Sequence, residues 1–170
     1  IQTRGALIED NTYEGCSGAA LHVSCDLDYW LESIATRNVT IRRNTFIECN
    51  YGAAMARGMI YVFAEVKGNR HPPPGVHRSL TIENNTFRGT DNSAIYISSA
   101  DGVNVTGNRI ENAGRDPSVD SGRAAICVAS SRNVSITGNS FAAPDGGRAE
   151  VIVGPDVEEK TISIAGNEGL

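Results

Sequence analysis

The segment Ser24-Cys25-Asp26-Leu27-Asp28-Tyr29-Trp30-Leu31-Glu32-Ser33 gathers three carboxylates around the only tryptophan of the chain. An indole ring offers a flat face to the C–H groups of a sugar, and carboxylates accept hydrogen bonds from its hydroxyls. That mixture suits a saccharide pocket. Two carboxylates on either side of a glycosidic bond are also the minimum required to hydrolyse it. The alternative is a loop that folds Trp30 over the core as a lid, with Asp26, Asp28 and Glu32 solvated around it.

A second set of aromatic groups falls at matching positions on successive predicted strands: His22, Tyr61 and Tyr96, continued by Cys127 and Ile152. Facing outward, the first three would form a shallow strip able to hold an extended sugar chain, although aromatic residues also stack on parallel sheets because they pack well. In residues 65–79, His71 and His77 flank three prolines that stiffen the segment. Without a carboxylate at fitting spacing, a rigid loop bordering a groove explains them better than a metal site. Residues 113–123 read as an exposed polar loop, with Asp116 and Asp120 solvated. There is no Gly-rich phosphate loop, GxSxG elbow or HExxH helix. No cofactor or metal is called for.

These residues must be positioned by a repeat. The phrases ALIEDNTY, VTIRRNTF, LTIENNTF, VNVTGNRI, VSITGNSF and ISIAGNEG each carry an asparagine, at Asn11, Asn44, Asn85, Asn108, Asn139 and Asn167, spaced 33, 41, 23, 31 and 28 residues apart. A period in this range marks a stacked array. Each phrase is a short strand, a turn and an asparagine, and a second strand follows it: Leu21–Val23, Ile60–Val62, Ile95–Ile97, Ile126–Val128 and Val151–Val153. Residues two apart share a face, so the core columns are Ala6-Val39-Leu80-Val103-Val134-Ile162, Ile8-Ile41-Ile82-Val105-Ile136-Ile164, Leu21-Ile60-Ile95-Ile126-Val151 and Val23-Val62-Ile97-Val128-Val153. Glu9, Arg42 and Glu83 fall in one outward column of alternating sign, which parallel stacking favours. This is an all-β, single-stranded parallel β-helix of about five to six coils. Its asparagines are structural, stacked at a coil corner where their tolerance of the left-handed conformation suits the turn. The triplets at Asn38, Asn104 and Asn133 look like glycosylation sites but are by-products of the repeat.

The composition fits a thin stacked core, with 40% hydrophobic residues, 6% aromatic residues and 18 glycines in 170 residues. A net charge of −5 without a basic run argues against nucleic acid and anionic membranes as partners. Of the four cysteines, Cys16 and Cys49 sit at equivalent places in successive coils. Rungs about 4.8 Å apart allow either a disulfide or a ladder of free thiols. The chain opens on Ile1, so the lack of a visible signal says nothing about export. Residues 1–170 are expected to form one β-helix domain cut from a longer solenoid, with end-to-end self-association as a second possibility.

The stretch RGALIEDNTYEG, followed by AALHVSCDLDYWLESIATRNVTIRRNTFIEC, resembles the later coils of glycoside hydrolase family 110, most closely over residues 4–49 and 80–112. That resemblance implies a right-handed, pectate-lyase-like β-helix and removal of terminal galactose from α-1,3-galactosides with inversion. It implies an oligosaccharide or polysaccharide partner and an extracellular or periplasmic location. It also implies catalytic acids on coils N-terminal to these, in a stretch with paired aspartates; no adjacent Asp-Asp occurs here. The residues able to line a sugar pocket are His22, Asp26, Asp28, Trp30, Glu32, Tyr61 and Tyr96. Asp26 and Glu32 are the pair best placed for direct contact, and an inverting pair stands roughly 6.5–9.5 Å apart. A non-catalytic carbohydrate-binding or structural β-helix is the alternative.

Overall fold

The computed structural model describes residues 1–29, 31, 34–51, 56–68, 72–116, 124–146 and 148–170. The first coil contains β1 (Arg4–Glu9), β2 (Thr12–Glu14) and β3 (Leu21–Asp26). The second repeats the order with β4 (Arg37–Arg42), β5 (Thr45–Ile47) and β6 (Gly58–Glu65). The third has β7 (His77–Glu83), β8 (Thr86–Arg88) and β9 (Ser93–Ser98), and the fourth β10 (Ala100–Thr106), β11 (Arg109–Glu111) and β12 (Ala124–Ala129). Then come β13 (Arg132–Thr137), β14 (Ser140–Ala142), β15 (Glu150–Val153), a short 3₁₀ turn at Glu159–Thr161 and β16 (Ile162–Ala165). Each strand pairs in parallel with its equivalent in the next coil, which makes three sheets. We call them A (β1, β4, β7, β10, β13, β16), B (β2, β5, β8, β11, β14) and C (β3, β6, β9, β12, β15). The chain is a parallel β-helix.

The expected columns are the observed register. Ala6 pairs with Val39, Val39 with Leu80 and Leu21 with Ile60, and the series continues coil by coil. Glu9, Arg42 and Glu83 share their outward column, Arg42 lying 2.8 Å from Glu9 and 3.9 Å from Glu83. Sheet B is an addition to the two-strand coil read from the sequence. Its strands are three residues long, too short for a period to be visible, and one inward residue from each builds a further column. In that column Tyr13, Phe46 and Phe87 stack at centroid distances of 5.0 and 4.7 Å with their planes 7° apart.

Between sheets A and B the asparagines form a continuous ladder. The Nδ2 groups of Asn11, Asn44, Asn85, Asn108 and Asn139 each donate to Oδ1 of the next asparagine, at 3.0, 3.1, 3.0, 3.0 and 2.9 Å. Each Oδ1 also accepts the backbone N–H of the asparagine before it, and Nδ2 reaches a carbonyl of the preceding coil, as Asn85 does to Ile41 at 2.9 Å. Asn44, Asn85, Asn108 and Asn139 are buried with their amide groups partnered. One expectation is corrected. The left-handed residue is not the asparagine but the one before it: Asp10, Arg43, Asn84, Gly107, Gly138 and Gly166, with φ between 53° and 64°. The turn reverses at that residue, leaving the asparagine free to aim its amide inward. Asn38 and Asn133, each in a glycosylation-like triplet, also occupy left-handed positions.

All four cysteines are free thiols. Cys49 is buried, its Sγ 3.6 Å from the Tyr13 carbonyl oxygen and 3.3 Å from that of Ile47.

Candidate functional site

The turns show which face is available for chemistry. From A to B the chain always turns in the two residues that carry the ladder, for instance Asn84 and Asn85. The connections from B to C and from C to A vary, and every insertion lies on one of them. Residues 48–57, 112–123 and 143–149 leave sheet B, while 27–36, 66–76 and 154–161 leave sheet C. Both edges of sheet C are therefore built up by loops, and its outer face lies between them. Loops raised on a regular scaffold are where binding groups concentrate.

On that face the column His22-Tyr61-Tyr96-Cys127-Ile152 is in register. Its middle is covered. Tyr61 and Tyr96 are only 9% and 4% exposed, and they form a second apolar cluster with Ala124 and Cys127, against which Ala19, Ala56 and Phe63 pack. Arg57 lies over the Tyr96 ring at 5.6 Å and donates from Nη1 to its hydroxyl at 3.2 Å. The open strip expected from the sequence is thus roofed across Tyr61 and Tyr96, because turns from the B-to-C corner fold onto them. Burial pushes the Tyr61 hydroxyl up to about 12 and raises that of Tyr96. Both phenols stay neutral in ordinary buffers.

His22 marks the open end. Its ring stacks on Tyr61 at 5.2 Å and on Phe63 at 4.9 Å, while its edge remains exposed to solvent. Burial against the rings lowers its pKa and keeps the imidazole neutral near pH 7. Phe63 was missed in the sequence, though it stands two residues after Tyr61 and so shares its face.

The first insertion begins where β3 ends. Asp26 Oδ1 accepts the N–H groups of Asp28 and Tyr29, at 2.9 and 2.7 Å, and shapes the turn. Asp28 Oδ2 accepts the Lys67 N–H at 2.9 Å, and Leu27 donates to the Glu65 carbonyl at 3.0 Å. Lys67 Nζ sits 5.8 Å from the Tyr29 ring centre. The insertions of two successive coils are in this way clipped together, with half of the Tyr29 surface left exposed. Asp26 and Asp28 both bond backbone amides, so they serve first as loop-forming carboxylates. Trp30 and Glu32 lie outside the described residues, as do His71 and Asp120.

His77 holds no metal site together. It is fully buried, its Nε2 is 2.8 Å from the Phe63 carbonyl and its Nδ1 accepts the Thr36 N–H at 3.3 Å. Both ring nitrogens are committed to backbone, and burial lowers its pKa. Of the third insertion the structure describes residues 113–116, and there one expectation, a solvated Asp116, is only partly met. Asp116 is half-buried and its N–H bonds the Asp91 carbonyl at 3.3 Å. Beside it, Arg115 is clamped by Asp91 at 3.0 Å and Glu48 at 2.8 Å.

Residues 74–169 are matched by the model of the family described as right handed beta helix region. The chain belongs to the right-handed β-helix family. Within it, this β-helix is similar to α-1,3-galactosidase A of Bacteroides fragilis, 34% identical over 107 residues, which cover 63% of this chain and 18% of that enzyme. It is 31% identical over 105 residues to α-1,3-galactosidase B of Akkermansia muciniphila, covering 61% of this chain and 13% of the relative. Over 141 residues it is 27% identical to α-1,3-galactosidase B of Phocaeicola vulgatus, covering 79% and 23%. The chain thus spans less than a quarter of the length of each of these relatives.

Proposed function

We propose that this β-helix is part of a glycoside hydrolase related to the α-1,3-galactosidases, acting on terminal galactose of glycans outside the cytoplasm. The observation that carries the reading is that every insertion flanks sheet C. The built-up face combines an exposed tyrosine, a neutral histidine and fixed carboxylates, next to the segment that resembles galactosidase coils. Tyr29 offers a ring for the sugar's C–H face, and His22 supplies both a donor and an acceptor. Trp30 and Glu32 are proposed to complete the sugar contacts.

The chemistry assigned to this stretch is positioning. Asp26 and Asp28 bond backbone amides, which favours a supporting role over acid–base work for them. That observation also favours the second reading, a carbohydrate-binding segment without catalysis of its own. A proton NMR time course with α-galactosyl oligosaccharides separates the two. Galactose released first as its β-anomer identifies an inverting hydrolase in this chain. Chemical-shift changes without release identify a binding segment whose chemistry, if any, lies on other coils, and a folded sample showing neither response refutes glycan recognition by this stretch.

A further inference from the structure

We propose that Cys16 and Cys49 form a modification site, at which a small-molecule disulfide oxidises the two thiols to a cross-link between the first and second coils. Nothing in this chemistry requires a glycan. Sheet B sets the geometry. Thr12, Tyr13 and Glu14 pair with Thr45, Phe46 and Ile47, and the next residue of each coil, Gly15 and Glu48, is left-handed, with φ of 63° and 45°. Both strands therefore leave the sheet by the same turn, and backbone bonds continue the pairing past it. Gly15 donates to the Ile47 carbonyl at 3.0 Å, and Asn50 to the Cys16 carbonyl at 2.7 Å. Cys16 thus lies one rung from Cys49, about 4.8 Å, inside the Cα separation of about 4.4–6.8 Å that a disulfide spans.

The thiols themselves meet, since the side chain of Cys16 is in hydrogen-bonding contact with that of Cys49. The other two cysteines face no thiol in register: Cys25 pairs with Ala64, and Cys127 with Tyr96 and Ile152. Burial sets the order of events. Cys16 is half-buried, whereas Cys49 is fully buried. Burial also raises the pKa of Cys49, and contact with the Cys16 side chain adds to the rise, which holds Cys49 as the thiol. The Cys16 thiolate attacks one sulfur of the oxidant, forming a mixed disulfide and expelling one thiolate. Cys49 then gives up its proton and attacks the Cys16 sulfur, expelling the second thiolate. Two protein thiols are oxidised and one small disulfide is reduced to two thiols. The new bond closes a loop through residues 17–48, which contain the whole first insertion with Tyr29. Such a closure restricts the unfolded chain, and more so for a long loop.

The test incubates the whole chain with oxidised glutathione, counts thiols in denaturant, maps linked peptides by mass spectrometry and measures the thermal midpoint. The parent reduced with dithiothreitol is the reference, so the result does not depend on a variant folding. Free thiols are expected to fall from four to two, with the Cys16 peptide linked to the Cys49 peptide. The midpoint should rise by about 5–10 °C and return on reduction. Cys16→Ser should abolish both the linkage and the rise. Four thiols retained, a lasting glutathione adduct on Cys16, or linkage through Cys25 or Cys127 overturns the site. A rise that persists in Cys16→Ser overturns it as well. Linkage of Cys16 to Cys49 with an unchanged or lower midpoint overturns the stabilisation.

Discussion

The corner between sheets A and B turns in two residues in every coil, whereas no two connections leaving sheet B, or leaving sheet C, are alike in length. At the first corner the polar groups are consumed by one another. Asparagine amides saturate the backbone and the next amide, and the left-handed residues stand one position earlier. At the other two corners some polar groups are buried and paired as well, as Asn92 is with Asn50 at 3.2 Å, while others, such as Lys67 and Arg148, are exposed. The difference teaches that regularity here serves stability, while irregularity leaves room for the recognition proposed above.

The sharpest way to break that division is to damage the regular side. Phe46→Ala removes a fully buried ring from between Tyr13 and Phe87. It should cost about 4 kcal/mol in urea denaturation. Asn85→Ala removes the acceptor of the Asn44 N–H and Nδ2, together with the donor to Ile41. With buried groups left unpaired, the expected loss is about 3 kcal/mol. Asn11→Ala, at an exposed member of the ladder, should cost about 1 kcal/mol or less. Equal losses at Asn11 and Asn85 would show that amide satisfaction is not what holds the corner.

Much of the regular side was legible in the sequence and much of the irregular side was not. Core columns and the asparagine spacing follow from a period of two along each strand and a fixed corner, so the order of residues alone pairs Val39 with Leu80 and Leu21 with Ile60. Sheet B escaped because strands such as Thr45–Ile47 show no alternation. The left-handed positions were assigned one residue late because asparagine tolerates that conformation well, although Gly107, Gly138 and Gly166 already stood in the right place. On the irregular side, the column His22-Tyr61-Tyr96 was legible but its roof was not. Nothing local to Tyr96 announces that Arg57, from the preceding coil, will close over it. Asp26 and Asp28 were recognisable as carboxylates, yet the bond of Asp28 to the Lys67 amide depends on the meeting of insertions from successive coils.

Smaller effects are expected where the two sides touch. Tyr96→Phe keeps the ring and loses the hydroxyl that Arg57 meets, for a cost of about 1 kcal/mol. His77 links β7 to the Phe63 carbonyl, and its pKa is held below the ordinary value by burial. The unfolded chain takes up this proton from about pH 6.5 downward, while the folded chain resists it until the pH reaches the lowered value. Between those limits the unfolded state binds more protons, so stability falls as pH falls and levels off below the folded pKa. The urea midpoint should therefore decrease between pH 7.5 and 5.5, and His77→Gln should flatten that slope. His22 contributes with the same sign, so part of the slope survives. An identical slope in the variant would remove His77 from the account.

The smallest change in stability should accompany the largest functional change. Half of Tyr29 is exposed, and among the described residues its ring meets the Lys67 ammonium of the neighbouring insertion. Tyr29→Ala should shift the urea midpoint by less than about 0.5 kcal/mol, as exposed sites do, while reducing glycan affinity about tenfold through the lost ring surface. Tyr29→Phe should restore most of it, since a sugar's C–H face contacts the ring rather than the hydroxyl. If both variants bind as the parent does, Tyr29 is not part of the platform. The contrast between the corners would then be one of loop length alone. A loss rescued by Phe ties recognition to the irregular edge through a residue on which the coil does not depend for folding.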